Sequence, residues 1–149
     1  MYELMPNIRF QIGKGQLYII ADEICERKEE SDRSQCSIYL SGFRIANLDE
    51  DGNLIEGKVL AFEDANAPKI ARFLAMVLWD IAKGTVSLPV ELEDYSLKID
   101  SPNDLDIRIS QGKEHVIVPG DNVTELGGKL MVIMGSIPYK SAVGISAVK

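Results

Sequence analysis

Histidine is almost absent from this chain of 149 residues, with His115 the only one. A zinc site built on several histidines is therefore excluded within one chain. Any Ser-His-Asp or Cys-His triad has to use His115. It stands between Glu114 and Val116 with no nucleophile motif beside it, and reads as an exposed residue at a strand end. Cysteine is limited to Cys25 and Cys36, too few for a disulfide framework and without the CxxC spacing of a metal site. Free, reduced thiols are expected. Long hydrophobic runs are missing as well. No stretch reaches the roughly 18 apolar residues of a membrane span. Met1 to Pro6 lacks the basic and apolar regions of a secretory signal, so a cytoplasmic location is expected. Basic charge is in deficit: 16 Lys and Arg stand against 23 Asp and Glu, a net −7. That balance argues against broad electrostatic binding to duplex nucleic acid or to an anionic membrane.

What is present reads as one domain over residues 1–149 with an α+β fold, mainly antiparallel β around one central amphipathic helix. Ile8, Phe10 and Ile12 alternate with Arg9 and Gln11, a half-buried strand. Gly13-Lys14-Gly15 marks a turn into a second, more continuously apolar strand over 17–21. Residues 22–35 are dense in mixed charge and read as an exposed loop or an extension of the hairpin. Further strands are expected over 38–48 and 57–62, joined by the Asp-Gly turn of Asp49-Glu50-Asp51-Gly52-Asn53. The period then changes. Ile70, Phe73, Leu74, Val77, Leu78 and Ile81 follow helical spacing, which predicts a helix over about 66–83 with Asp64 or Asn66 as its cap and Gly84 as its stop. From Thr85 onward the pattern is β-like again, with strands expected over 85–88, 96–99, 105–110, 115–118, 129–134 and 142–148. Two sub-layers follow, 1–84 and 85–149, with Leu88-Pro89 the one candidate boundary.

Several chemistries are excluded by counting. A calcium loop starting at Asp49 needs Gly at its sixth position and an acid at its twelfth, but Leu54 and Leu60 stand there. Gly13-Lys14-Gly15 lacks the third glycine of a phosphate loop and leads into a strand instead of a helix. Acids cluster at Glu91, Glu93 and Asp94, and again at Asp100, Asp104 and Asp106, and both runs read as solvated faces. No catalytic residue, cofactor or metal site is therefore assigned.

The far side of the helix carries Arg72, Ala75, Met76, Trp79 and Lys83. An ordinary surface helix would be polar there. Either the C-terminal strands cover this side in a three-layer arrangement, or Arg72, Met76, Trp79 and Lys83 form an exposed anchor for a partner. The apolar tail over 130–148 reads either as a core strand pair or as an edge that pairs with a second copy.

The order of four strands and a helix over 7–84 resembles the single-stranded-DNA-binding domain of the positive-cofactor transcriptional coactivators. Phe10-Gln11-Ile12-Gly13-Lys14 is similar to its start, and Asp49 to Asn53 followed by Gly57-Lys58 is similar to its third hairpin. The resemblance implies strand binding through Lys14, Tyr18, Arg27, Lys28, Arg33, Phe43, Arg44 and Lys58, and a helix that pairs subunits into dimers. Ala46-Asn47-Leu48 stands where that family has an aromatic cluster, and residues 85–149 have no counterpart.

The leading expectation is a non-catalytic interaction or assembly protein whose partner is another protein or a second copy. A variant is an acidic inhibitor that occupies a basic site on its target, using the two acid runs. The alternative is a single-stranded nucleic-acid-binding domain, and a carboxylate-based hydrolase ranks third.

Overall fold

The computed structural model describes residues 2–4, 7–26, 37–63 and 67–133. Five strands form the first sheet: β1 (Tyr2–Leu4), β2 (Ile8–Ile12), β3 (Leu17–Glu26), β4 (Ser37–Leu48) and β5 (Leu54–Glu63). It is antiparallel, in the order β1-β3-β4-β5. β2 shares an edge of β3 with β1: Leu4 faces Ile24, and Ile8 faces Ala21. The charged segment is thus partly ladder, since β3 and β4 pair as far as Glu26 and Ser37. Its central residues lie outside the described ones.

The continuous apolar run of β3 is buried on both faces. Leu17, Ile19 and Ala21 join the main core with Phe43, Ile45, Leu60 and Phe62 of the neighbouring strands. The Phe43 and Phe62 rings lie 4.9 Å apart between centroids. Ile20, Ala46 and Leu48 form a second cluster on the opposite face, flanked by Tyr18 and Val59. A strand buried on both sides shows no alternation. The turn after β4 is held as its sequence requires. Asp49 Oδ1 accepts from the N–H groups of Asp51 at 2.9 Å and Asn53 at 2.8 Å, and Gly52 has φ +81°. Arg9 Nη1 donates to Gly52 O at 2.9 Å, which ties the turn to β2 across the outer face.

Helix α1 (Ala67–Lys83) follows. It ends in a Schellman motif in which Gly84 N–H donates to Ile81 O and Thr85 N–H to Asp80 O, both at 3.0 Å. Gly84 supplies the left-handed φ of +76°. The proposed caps Asp64 and Asn66 lie outside the described residues. Ile70, Ala71, Leu74, Ala75 and Leu78 are buried. The buried stripe is therefore rotated from the expected one: Phe73 is exposed, while Ala75 of the supposed far side is buried.

The second sheet is a four-stranded meander: β6 (Val90–Leu92), β7 (Leu97–Asp100), β8 (Asp106–Gln111) and β9 (Glu114–Pro119). Leu97, Ile99, Ile107, Ile109, Val116 and Val118 alternate into the main core. The expected strand over 85–88 is absent, and this stretch is irregular connection. Two amide side chains join the sheets where β5 and β9 run side by side. Asn47 Nδ2 donates to Ile117 O at 3.2 Å, and Asn47 Oδ1 accepts from Ile117 N–H at 3.0 Å. Gln111 Nε2 donates to Ala61 O at 3.4 Å, and Gln111 Oε1 accepts from Ala61 N–H at 3.3 Å. Each amide copies a peptide group and satisfies an edge donor and acceptor.

The α+β, mainly antiparallel class stands, but the single central helix does not. Where a strand is expected over 129–134, the chain forms a second helix, α2 (Val123–Ile133). Its buried residues Val123, Leu126, Gly127, Leu130 and Ile133 have helical spacing. The Gly127-Gly128 pair, poor in helix propensity, concealed it. The strand expected over 142–148 lies outside the described residues. α2 packs on α1 and over β2 and β3. A methyl group at Gly127 would sit 2.8 Å from Trp79 Nε1, whereas one at Gly128 would meet nothing within 4 Å. Gly127 is the notch that admits the indole.

These neighbours give a paired prediction. Gly127→Ala should lower unfolding stability by about 1–3 kcal/mol through overpacking. Gly128→Ala should raise it by up to about 1 kcal/mol through helix propensity. Urea melts of the two variants check this, and equal effects would contradict the notch.

Candidate functional site: the outer face of the first helix

Because α1 turns one side to the sheets and α2 takes the flank with Ala75 and Trp79, a definite strip remains in solvent. Arg72, Phe73, Met76 and Lys83 are exposed on it, with Lys69 at its start and half-buried Asp80 near its end. Phe73 is 41% and Met76 49% exposed, two of the few large apolar side chains left to water among the described residues. Of the proposed anchor, Arg72, Met76 and Lys83 lie on this strip. Trp79 does not: its indole is half buried against Gly127, so α2 covers it. The cover is a helix from the C-terminal half, not the expected strands.

A second element reaches the strip. After β6, Glu93 to Tyr95 make one 3-10 turn, closed by Ser96 at φ +55° with its N–H donating to Glu93 O at 3.1 Å. That left-handed conformation costs a non-glycine residue about 1 kcal/mol. The turn brings Tyr95 to Phe73, with ring centroids 6.1 Å apart. An open groove of about 410 Å3 runs between them, lined by Lys69 and Phe73 on the helix and by Glu91, Leu92, Glu93, Asp94 and Tyr95. Sequence reasoning missed Phe73, which it assigned to the core, and Tyr95. Helical spacing could not separate the edge of the buried stripe from its centre. Nothing local marks the approach of residues 91–95 to α1.

The two acid runs have different fates. Glu91, Glu93 and Asp94 are exposed beside the helix. In the second run, Asp100 takes a bidentate ion pair from Arg108, with Nε at 2.9 Å and Nη2 at 2.6 Å. Asp106 accepts from Asn103 Nδ2 at 3.2 Å, and Asn103 Oδ1 in turn accepts the N–H groups of Leu105 and Asp106. These groups hold a loop together. His115 is exposed on β9. Among the described residues no three acid, His or Cys side chains converge on a metal-sized site, and no helix is long and apolar enough to cross a membrane.

The residues assigned to strand binding are scattered. Lys14 is exposed in the turn before β3, and Lys58 is exposed on β5. Tyr18 is half buried on the outer face of the first sheet. Arg44 shares that face, with its Nη2 3.7 Å from Asp22 Oδ1. Phe43 points the other way and is 1% exposed in the core. Strand parity puts Phe43 and Arg44 on opposite faces, so Phe43 cannot stack on a base. Arg27, Lys28 and Arg33 lie outside the described residues, as does Cys36; Cys25 stands opposite Ile38. The chain matches none of the family models, curated proteins or solved structures compared with it.

The Asp100–Arg108 pair sets a pH response. The hydrogen-bonded guanidinium holds the Asp100 carboxyl below the usual carboxylate range, against the opposing effect of burial. A depressed folded-state value contributes stability above the unfolded value of about 3.9, lost as pH falls through the folded one. Asp100→Asn should therefore be less stable than wild type at pH 7, with the difference closing only below about pH 4. Denaturant melts at pH 7, 4 and 2.5 check this, and a pH-independent difference would contradict it.

Proposed function

We propose that this chain is a non-catalytic interaction protein whose working surface is the outer face of α1. The observation that carries this reading is the exposure of Phe73 and Met76, one helical turn apart, on a helix whose core-facing and α2-facing sides are already occupied. Their burial elsewhere would follow the same rule that buries Leu74 and Leu78: about 25 cal/mol is gained per Å2 of apolar surface removed from water. Met adapts its shape to a partner, and Arg72 and Lys83 add cations with long apolar stems beside it. Glu91, Glu93 and Asp94 give the neighbouring edge the opposite charge. Such a strip, apolar along its centre and charged at its rims, has the anatomy of an interface.

Oxidative footprinting tests the reading directly. The Met76 thioether should oxidise quickly in dilute purified protein and several-fold more slowly in the native cell, with half-buried Met131 as the internal reference. Equal Met76 reactivity in both settings would contradict an occupied α1 face.

A further inference from the structure

We propose that the occupant of the α1 face is a second copy of this chain, related by a two-fold axis that runs parallel to the helix. This rests on the reading of α1 as the working surface and goes further by naming the partner and its orientation. The strip is charged asymmetrically. With Met76 on the midline and about 100° per residue, Arg72 and Lys83 fall on the flank toward Trp79, and Asp80 falls on the flank toward Phe73. Trp79 marks the α2 side through Gly127. Phe73 marks the other side through Tyr95. The acids Glu91, Glu93 and Asp94 extend that second flank, level with the N-terminal half of the helix, because Lys69 and Phe73 line the same groove. The face is thus cationic along one flank, while the other carries Asp80 and the three acids with two cations among them: Lys69, and Lys98, which stands directly across from Glu91 between β6 and β7.

A two-fold axis parallel to the helix exchanges the flanks and keeps each residue at its own height. Arg72 of one copy then meets the Glu91, Glu93 and Asp94 edge of the other, Lys83 meets Asp80, and the two Met76 side chains meet at the axis. A two-fold axis perpendicular to the helix leaves each flank facing its own kind. It would bring Arg72 close to the other copy's Lys83. Charge therefore selects the parallel pairing and makes the surface complementary to itself, as an isologous contact requires. Each copy carries a net −7, so the whole molecules repel, and the pairing depends on this local complementarity.

The experiment uses two single variants, Arg72→Glu and Glu93→Arg, both at exposed positions. Light scattering at about 100 μM should find wild type dimeric and each variant alone mainly monomeric, with a dissociation constant raised about tenfold or more by two like-charge contacts. Mixing the two variants in equal amounts should restore the dimer. The acid introduced by the first substitution then faces the cation introduced by the second at one contact, and the native Arg72–Glu93 pair remains at the other. Circular dichroism should show both variants folded as wild type. A monomeric wild type, variants that stay dimeric, or a mixture that stays monomeric would each overturn the self-pairing. The footprint separates this failure from failure of the parent reading. Met76 protected in cells on a chain that is monomeric in solution means that a different protein covers α1, whereas unprotected Met76 removes both.

Discussion

Trp79 lies in the notch that Gly127 leaves at the contact between the two helices, and much of the molecule's external chemistry follows from that contact. It lets α2 lie close along one flank of α1, covering Ala75 and half of the indole. With the sheets on a second side, the helix has a single strip left. Any residue larger than glycine at position 127 would push the helices apart or turn the indole out. The width of the strip, and the choice of Arg72, Phe73, Met76 and Lys83 to occupy it, are consequences of how closely the helices approach.

The amide bridges do comparable work between the sheets. Two open sheets meeting edge to edge would leave the β5 and β9 backbones unpaired in a crowded place. Asn47 and Gln111 each give one donor and one acceptor there. The second sheet is thereby held beside the first, and strands from both sheets reach one core together with α1 and α2. From this second sheet comes the 93–95 turn that sets acids beside the helix. The charge pattern of the proposed interface thus depends on the joining of the two sheets as well as on the helix.

Much of this architecture was legible in the residues because local signals agreed. The alternation at Ile8 to Ile12, the Asp-Gly turn and the helical spacing from Ile70 to Ile81 each have one physical solution. α2 was not read, because two adjacent glycines have poor helix propensity and look like a turn. Only the bulk of Trp79, 48 residues earlier in the chain, explains why Gly127 is there. Arg72, Met76 and Lys83 were legible as an outer face, since they depend on the helical period alone. Phe73 was misplaced relative to solvent and Trp79 was left between covered and exposed, because their exposure is decided by the 93–95 turn and by α2. Phe43 was assigned to strand binding by the resemblance together with its neighbour Arg44, although adjacent residues of one strand face opposite sides of the sheet.

The central claim is that α1 presents the one surface on which copies of this chain meet. The most direct measurement is a dilution series of 15N-labelled protein followed by backbone amide chemical shifts. The account predicts concentration-dependent shifts confined to the exposed positions between Lys69 and Lys83 and to residues 91–96. Shifts confined to the outer face of the first sheet, around Tyr18 and Arg44, or no concentration dependence at all, would contradict it.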